Sequence, residues 1–115
     1  MAGQGRSVGA RFEEIAAIIA HVADPARVGV CIDTAHTHAA GYPLHDAAAW
    51  HAMVADFDRV IGLRYLRGLH LNDSRVVCGS RVDRHWHIGR GSIGAAGFAA
   101  AMADPRIAGI PLILE

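Results

Sequence analysis

Histidine and carboxylate side chains in this sequence recur where short apolar runs end. Six of them form the set of interest: Asp33, His36, His70, Asp83, His85 and Glu115. Mixed sets of this kind, without cysteine ligands, favour zinc, manganese or iron over a structural cysteine-type zinc site. Carboxylates can also bridge two ions, an arrangement that suits phosphate chemistry. The six residues therefore predict a metal centre.

Their spacing supports a common location. Asp33 and His36 are three residues apart at a predicted strand-to-loop junction, where one turn can bring both to the same side. Asp83 and His85 share a face of extended backbone, with Arg84 pointing the other way. Singly, each residue has an ordinary explanation, since Asp33 can cap a helix and Asp83 can pair with Arg84. Their joint placement after strands favours the metal interpretation.

The remaining histidines and the arginines give weaker signals. His38 and His87 each lie two residues beyond a predicted ligand, so each is a substitute ligand or a donor that orients one. His21 and His51 lie within predicted helices and are expected at the surface. Planar guanidinium groups suit bidentate phosphate contacts, although a solvated charge or a salt bridge explains them equally well. The candidate phosphate contacts are Arg75, Arg81 and Arg84.

The elements that must position these side chains follow from hydrophobic periodicity. Helices are predicted at residues 10–22, 47–61 and 95–103, and strands at 28–32, 66–71 and 110–115. This alternation predicts an α/β fold with a parallel sheet, whose strand C-termini form the catalytic face of a (β/α)₈ barrel. A complete barrel needs about 250 residues. The 115 residues therefore predict a single partial domain, 1–115, with about three strands and three helices.

Composition narrows the class of protein. The formal net charge is zero, so bulk electrostatics does not predict a nucleic-acid partner. No apolar run approaches the length of a membrane span, and the first ten residues lack the apolar core of a signal peptide. The two cysteines do not indicate a disulfide framework, which favours a reducing compartment. We therefore expect a globular cytoplasmic protein without a membrane partner.

Two motifs resemble signatures of one family. Residues 30–36, Val-Cys-Ile-Asp-Thr-Ala-His, resemble a signature of the endonuclease IV family of apurinic/apyrimidinic endonucleases. Residues 69–75, Leu-His-Leu-Asn-Asp-Ser-Arg, continuing to Asp-Arg-His at 83–85, resemble another. Residues 2–5 and 111–115 also resemble the family, so the resemblance covers essentially the whole chain. It implies the C-terminal part of a TIM (β/α)₈ barrel.

The resemblance also implies a function. The family hydrolyses the phosphodiester 5′ to abasic sites in double-stranded DNA, leaving a 3′-hydroxyl and a 5′-deoxyribose phosphate, with up to three zinc ions. It implies a monomer acting in base excision repair. By motif position, His36, Asp83 and His85 would complete the protein shell of one zinc. The residues implied to act through a metal-bound hydroxide, as ligands of a second zinc, are Asp33, His70 and Glu115.

Departures from the family pattern leave alternatives. A further bridging glutamate is expected just before Ala2, where this sequence has Met1, and the two histidines of the third zinc belong to an earlier part of the barrel. A truncated form with one complete zinc site is therefore expected, with Arg75, Arg81 and Arg84 as DNA-binding candidates. One alternative is a non-catalytic zinc-binding remnant. The other is a fragment of a xylose-isomerase-like sugar isomerase or epimerase.

Overall fold

Three parallel strands form the main sheet, and the predicted ligands Asp33 and His70 lie on two of them. The computed structural model describes all 115 residues, and its main sheet has the order β1-β2-β5. The strands are β1 (Val30–Asp33), β2 (Leu66–Leu71) and β5 (Leu112–Leu114). Asp33 pairs with His70, and His70 pairs with Ile113. Because the strands are parallel, their carboxyl ends lie together at one edge of the sheet.

The large apolar side chains of β1 and β2 are buried in a core shared with the helices. The three predicted helices are present as α1 (Phe12–Ala20), α3 (Ala47–Val60) and α4 (Gly94–Ala103). Leu69 of β2 and Phe57 of α3 are fully buried in the core that these elements share. Asp46 caps α3, because its Oδ1 accepts a hydrogen bond from the Ala49 amide at 2.8 Å. The α/β architecture of a partial barrel is confirmed.

The segment after Asp33 is not the predicted loop. It forms a fourth helix, α2 (Thr34–Ala40), and the prediction of a strand-to-loop junction is wrong there. Asp33 Oδ1 accepts from the His36 amide at 3.0 Å and caps the helix, which ends at Gly41 with φ of 115°. Most of α2 is buried on several sides, so it lacks the one-sided apolar pattern from which helices are predicted.

The polar loop after β2 contains a short antiparallel pair of strands. β3 (Asp73–Ser74) pairs with β4 (His85–Trp86), placing Asp73 opposite Trp86 and Ser74 opposite His85. This pairing was not predicted, because two-residue strands carry no usable periodicity. It holds the His85 backbone against the end of the main sheet.

A polar cluster, formed by the buried residues Trp50 and Asp104 and the exposed residue Arg106, joins α3 to the end of α4. The Asp104 carboxylate accepts from Trp50 Nε1 at 2.8 Å and from the Arg106 guanidinium at 2.7 Å. These hydrogen bonds, those from Arg106 foremost, lower the pKa of Asp104 to about 2. We call these three residues the helix-end cluster.

Across the whole chain, none of the helices is both long and apolar enough to cross a membrane.

Candidate metal centre

The first three predicted ligands, His36, Asp83 and His85, converge at the carboxyl end of the sheet. His36 Nε2 lies 2.9 Å from Asp83 Oδ2 and 3.2 Å from His85 Nε2. His85 Nε2 lies 3.3 Å from Asp83 Oδ1. Ligand atoms on a tetrahedral zinc ion, with bonds of about 2.0–2.2 Å, are about 3.3–3.6 Å apart. The three side chains, which we call the site cluster, therefore have ligand-like spacing.

The second predicted set also comes together. His70 Nδ1 lies 3.2 Å from Glu115 Oε2 and 3.8 Å from Asp33 Oδ2. Ligand atoms of all three residues lie within 4.8 Å of one another, close enough for a single metal ion to contact each. The two strands β1 and β2 and the residue after β5 thus supply one side chain each.

Asp33 lies between the two sets. Its Oδ2 is 4.0 Å from His36 Nδ1 and 3.9 Å from His85 Nε2, in addition to its approach to His70. Asp33, His36 and His85 accordingly form a further group that could hold a metal ion. The sequence motif assigned Asp33 to the second set only, whereas the geometry places it within reach of both. A carboxylate in that position suits a bridge between two ions.

The donor set fits a borderline divalent metal such as zinc. Every converging atom is an imidazole nitrogen or a carboxylate oxygen, and neither Cys31 nor Cys78 belongs to a group. The Asp33 side chain is 8% exposed, while those of Asp83 and Glu115 are 45% and 51% exposed. The site therefore has a buried wall and an open side through which solvent and substrate can enter.

Asn72 is a buried member of the site to which the sequence analysis gave no role. Its Nδ2 donates to Asp33 Oδ2 at 2.8 Å and to Glu115 Oε2 at 3.1 Å. This donation, aided by His70, holds the pKa of Glu115 below its usual value. Asn72 thus keeps two carboxylates oriented toward the same space. Its place in the motif at residues 69–75 and its position directly after β2 were the signals in the sequence.

The N-terminal segment contributes a support that was also missed. Gln4 Oε1 accepts a hydrogen bond from the Asp83 amide at 2.8 Å. Glu14 Oε2 accepts from the amides of Gly9 and Ala10 at 2.9 and 3.0 Å, which ties the segment to the start of α1. The backbone of one predicted ligand is therefore attached to a residue far away in sequence.

The histidines left outside the predicted ligand set lie outside both groups in the structure. His38 is buried, its Nε2 is 3.1 Å from Ser92 Oγ, and burial lowers its pKa. His87 is exposed beyond β4, and His21 and His51 are exposed on or beside helices. None of the four belongs to a metal-binding group.

The three candidate phosphate-binding arginines are exposed around the loop. The Arg75 guanidinium lies 4.3 Å from the ring centroid of Trp86, a cation–π contact. Arg84 donates to the Asp83 carbonyl at 2.6 Å, and Arg81 has φ of 56°, in the left-handed region. All three residues are exposed to solvent. Their binding of DNA remains a prediction.

Comparisons with known proteins agree with this architecture. A family model described as xylose isomerase-like TIM barrel matches residues 1–115, so the chain belongs to that family. Within it, the chain is 59% identical over 115 residues to a probable endonuclease 4 of Halorhodospira halophila. Its fold matches the crystal structure of endonuclease IV from Thermus thermophilus with a TM-score of 0.86 and 41% identity. The resemblance to endonuclease IV is confirmed.

These relatives are longer than the chain. The chain is matched over its whole length, and it spans 39% of the Halorhodospira protein and 40% of the Thermus structure. The three-stranded parallel sheet is accordingly the fold of part of a TIM barrel.

Proposed function

We propose that this metal centre belongs to a zinc-dependent endodeoxyribonuclease of base excision DNA repair. The reaction is hydrolysis of the phosphodiester 5′ to an abasic site in double-stranded DNA, leaving a 3′-hydroxyl and a 5′-deoxyribose phosphate. The observation that carries the proposal is the convergence of two ligand sets on Asp33, whose Oδ2 lies 3.8–4.0 Å from His36, His70 and His85. Neighbouring metal positions are typical of phosphodiester hydrolysis.

The proposed ligand assignment has two parts. His36, Asp83 and His85 hold one zinc ion, and Asp33, His70 and Glu115 contribute to a second. When bound, zinc ions supply a water polarised toward hydroxide at neutral pH and stabilise negative charge on phosphoryl oxygens. Asp33, His70 and Glu115 are the residues we place closest to the reacting phosphate, because their donor atoms meet next to the shared carboxylate.

The remaining residues of the site orient and bind. The buried Asn72 amide holds Asp33 and Glu115 in place, so that their oxygens do not turn into solvent. On the open side, we propose that Arg75, Arg81 and Arg84 contact DNA phosphates and position the strand without reading its sequence. Residues 1–115 would act as a single partial domain of a monomeric, cytoplasmic repair enzyme, and the relatives' names favour a nuclease over a sugar isomerase.

Incision of a defined duplex tests this proposal. Purified chain with excess zinc is incubated with an end-labelled duplex carrying one abasic site, and the products are sized and offered to a DNA polymerase. The proposal expects a cut 5′ to the site, an extendable 3′ end, and no cut in the same duplex with a normal nucleotide. Asp83→Ala should reduce incision at least about 100-fold, because a metal ligand is lost. Asp24→Ala changes a carboxylate outside both groups and should leave incision unaltered.

A second candidate is zinc binding without hydrolysis. The observation that favours it is the ligand-like spacing of His36, Asp83 and His85, which accounts for a bound zinc ion without any hydrolytic step. Tight zinc binding that is lost in Asp83→Ala, together with no incision of the abasic duplex, would favour this candidate and reject the nuclease proposal for these residues. Ketose interconversion would instead indicate the isomerase alternative.

A further inference from the structure

Asp73 is a fully buried carboxylate without a salt-bridge partner. Its Oδ2 accepts hydrogen bonds from the amides of Gly89 and Gly91, both at 2.9 Å. Its Oδ1 accepts from the Ile93 amide at 3.0 Å, and the Ser74 and Gly94 amides add contacts of 2.8 and 3.2 Å. Burying a carboxylate without a cation is unfavourable unless many donors surround it. Here backbone amides take the place of the missing cation.

The amides bound by Asp73 belong to the segment that follows His85. β3 holds the start of this segment, because Ser74 pairs with His85 and the Arg75 amide donates to the Arg84 carbonyl at 3.0 Å. Asp73 holds its end, at residues 89–94. The stretch that carries His85 is therefore fixed to residues 73–75 on both sides.

The backbone at Gly91 packs closely against Ser74 and Asp73. A Cβ at this position would lie 2.3 Å from the Ser74 carbonyl oxygen and 2.4 Å from Asp73 Oδ1. Only glycine fits there without moving the backbone. For comparison, the helix-capping carboxylate of Asp46 accepts a hydrogen bond from one amide only, that of Ala49.

Asn72, the preceding residue, serves the other ligand set. Its buried side chain contacts Asp33 and Glu115 directly, at 2.8 and 3.1 Å. Its backbone is fixed independently, because its amide donates to Thr34 Oγ1 at 2.9 Å. Two adjacent side chains thus support different parts of the site, Asn72 through direct contacts with two carboxylates and Asp73 through the backbone of residues 89–94.

We propose that Asn72 and Asp73 are positioning residues that divide the metal centre between them. Asn72 orients the carboxylates of the set Asp33, His70 and Glu115, while Asp73 fixes the backbone that aims His85 at His36. This inference rests on the proposed function, because it takes the two sets to be metal sites. Groups that orient metal ligands typically change metal affinity by about 10–100-fold when removed.

Zinc titration of the full chain, followed through the imidazole nitrogen NMR signals of each histidine, tests the division. In Asp73→Asn, the zinc affinity reported by His36 and His85 should fall about 10–100-fold, with less than about a threefold change at His70. In Asn72→Ala, the larger fall should appear at His70. Asp46→Asn is the matched control, since it neutralises a carboxylate that accepts from one amide and should alter neither signal.

Equal losses at all three histidines in both variants, or no loss in either, would overturn the proposal. If circular dichroism shows Asp73→Asn to be unfolded, hydrogen exchange in the unsubstituted, metal-free chain decides. The amides of Gly89, Gly91 and Ile93 should exchange at least about tenfold more slowly than that of Ile88, and equal rates would reject the role of Asp73. If the unsubstituted chain binds no zinc, the proposed function is rejected. The exchange rates of the metal-free chain then still test the role of Asp73 independently.

Discussion

The site cluster and the helix-end cluster both combine acidic and basic side chains, yet their hydrogen bonding differs. In the helix-end cluster, Asp104 is fully buried and each of its oxygens accepts from Trp50 or Arg106. In the site cluster, two imidazole nitrogens lie 3.2 Å from each other and share one carboxylate. Three histidines also surround Asp33 Oδ2 at 3.8–4.0 Å, beyond hydrogen-bond distance.

This difference separates a structural cluster from a chemical one. In a cluster where every donor has an acceptor, the hydrogen bonds stabilise the fold, and no polar atom is free to bind a ligand. When several acceptor atoms converge on one point, the arrangement is completed by a cation. We therefore expect substitutions in the helix-end cluster to change stability alone, and substitutions in the site cluster to change metal binding alone.

The largest effect is expected from Asp104→Ala. It leaves the Trp50 and Arg106 donors without their buried acceptor and should lower the free energy of unfolding by about 3 kcal/mol, as measured by urea denaturation. Asp24→Ala is the matched control, because Asp24 also caps a 3₁₀ helix that begins with proline but is exposed. It should lower stability by about 1 kcal/mol or less. Equal losses of stability in the two variants would show that the burial of Asp104 makes no difference.

Asp83→Ala, unlike Asp104→Ala, should change the stabilisation by zinc and leave the metal-free stability nearly unchanged. At a zinc concentration about one hundred times the dissociation constant, one site stabilises the fold by about 2.7 kcal/mol. The variant should lose that zinc-linked stabilisation, while its metal-free stability changes by about 0.5 kcal/mol or less, as for other exposed substitutions. Thermal unfolding with zinc and with a chelator measures both quantities. Ser80→Ala, in the same loop, should keep the zinc response, and a zinc-independent loss in Asp83→Ala would make Asp83 a structural residue.

Acid should weaken the helix-end cluster over a defined range. The folded pKa of Asp104 is about 2, below its value of about 3.9 in an unfolded chain, so folding favours the ionised form. This contributes about 2 kcal/mol that is fully present above about pH 5 and is lost as the pH falls toward 2. The stability difference between the unsubstituted chain and Asp104→Ala, measured with a chelator present, should shrink across that range. A constant difference would contradict the assigned pKa.

Sequence periodicity was sufficient for the elements with one apolar face. The helix predicted at 47–61 is present as α3, whose Trp50 and Phe57 are buried, and β2 has its predicted bounds. α2 escaped prediction because burial on several sides removes the periodic contrast that marks a helix. The antiparallel pair β3–β4 escaped because its two-residue strands are too short for any pattern.

The site could be predicted as a set of ligands but not as an assembly. Residue type and placement after strands identified the six ligand candidates, which the fold brings together. The residues that hold these candidates in place could not be predicted, because their contacts are distant in sequence. Asn72 contacts residues 39 and 43 positions away, and Gln4 contacts the Asp83 amide 79 positions away. Such long-range hydrogen bonds depend on strand register, which one sequence does not specify.

The two oxygens of Asp33 perform separate tasks. Oδ1 accepts from the His36 amide and starts α2, while Oδ2 faces the histidines and accepts from Asn72. Asparagine at this position could still cap the helix through its carbonyl oxygen, but it would turn an amide group toward the metal centre. A single-nucleotide change from aspartate to asparagine would therefore weaken the proposed metal binding while the architecture is preserved.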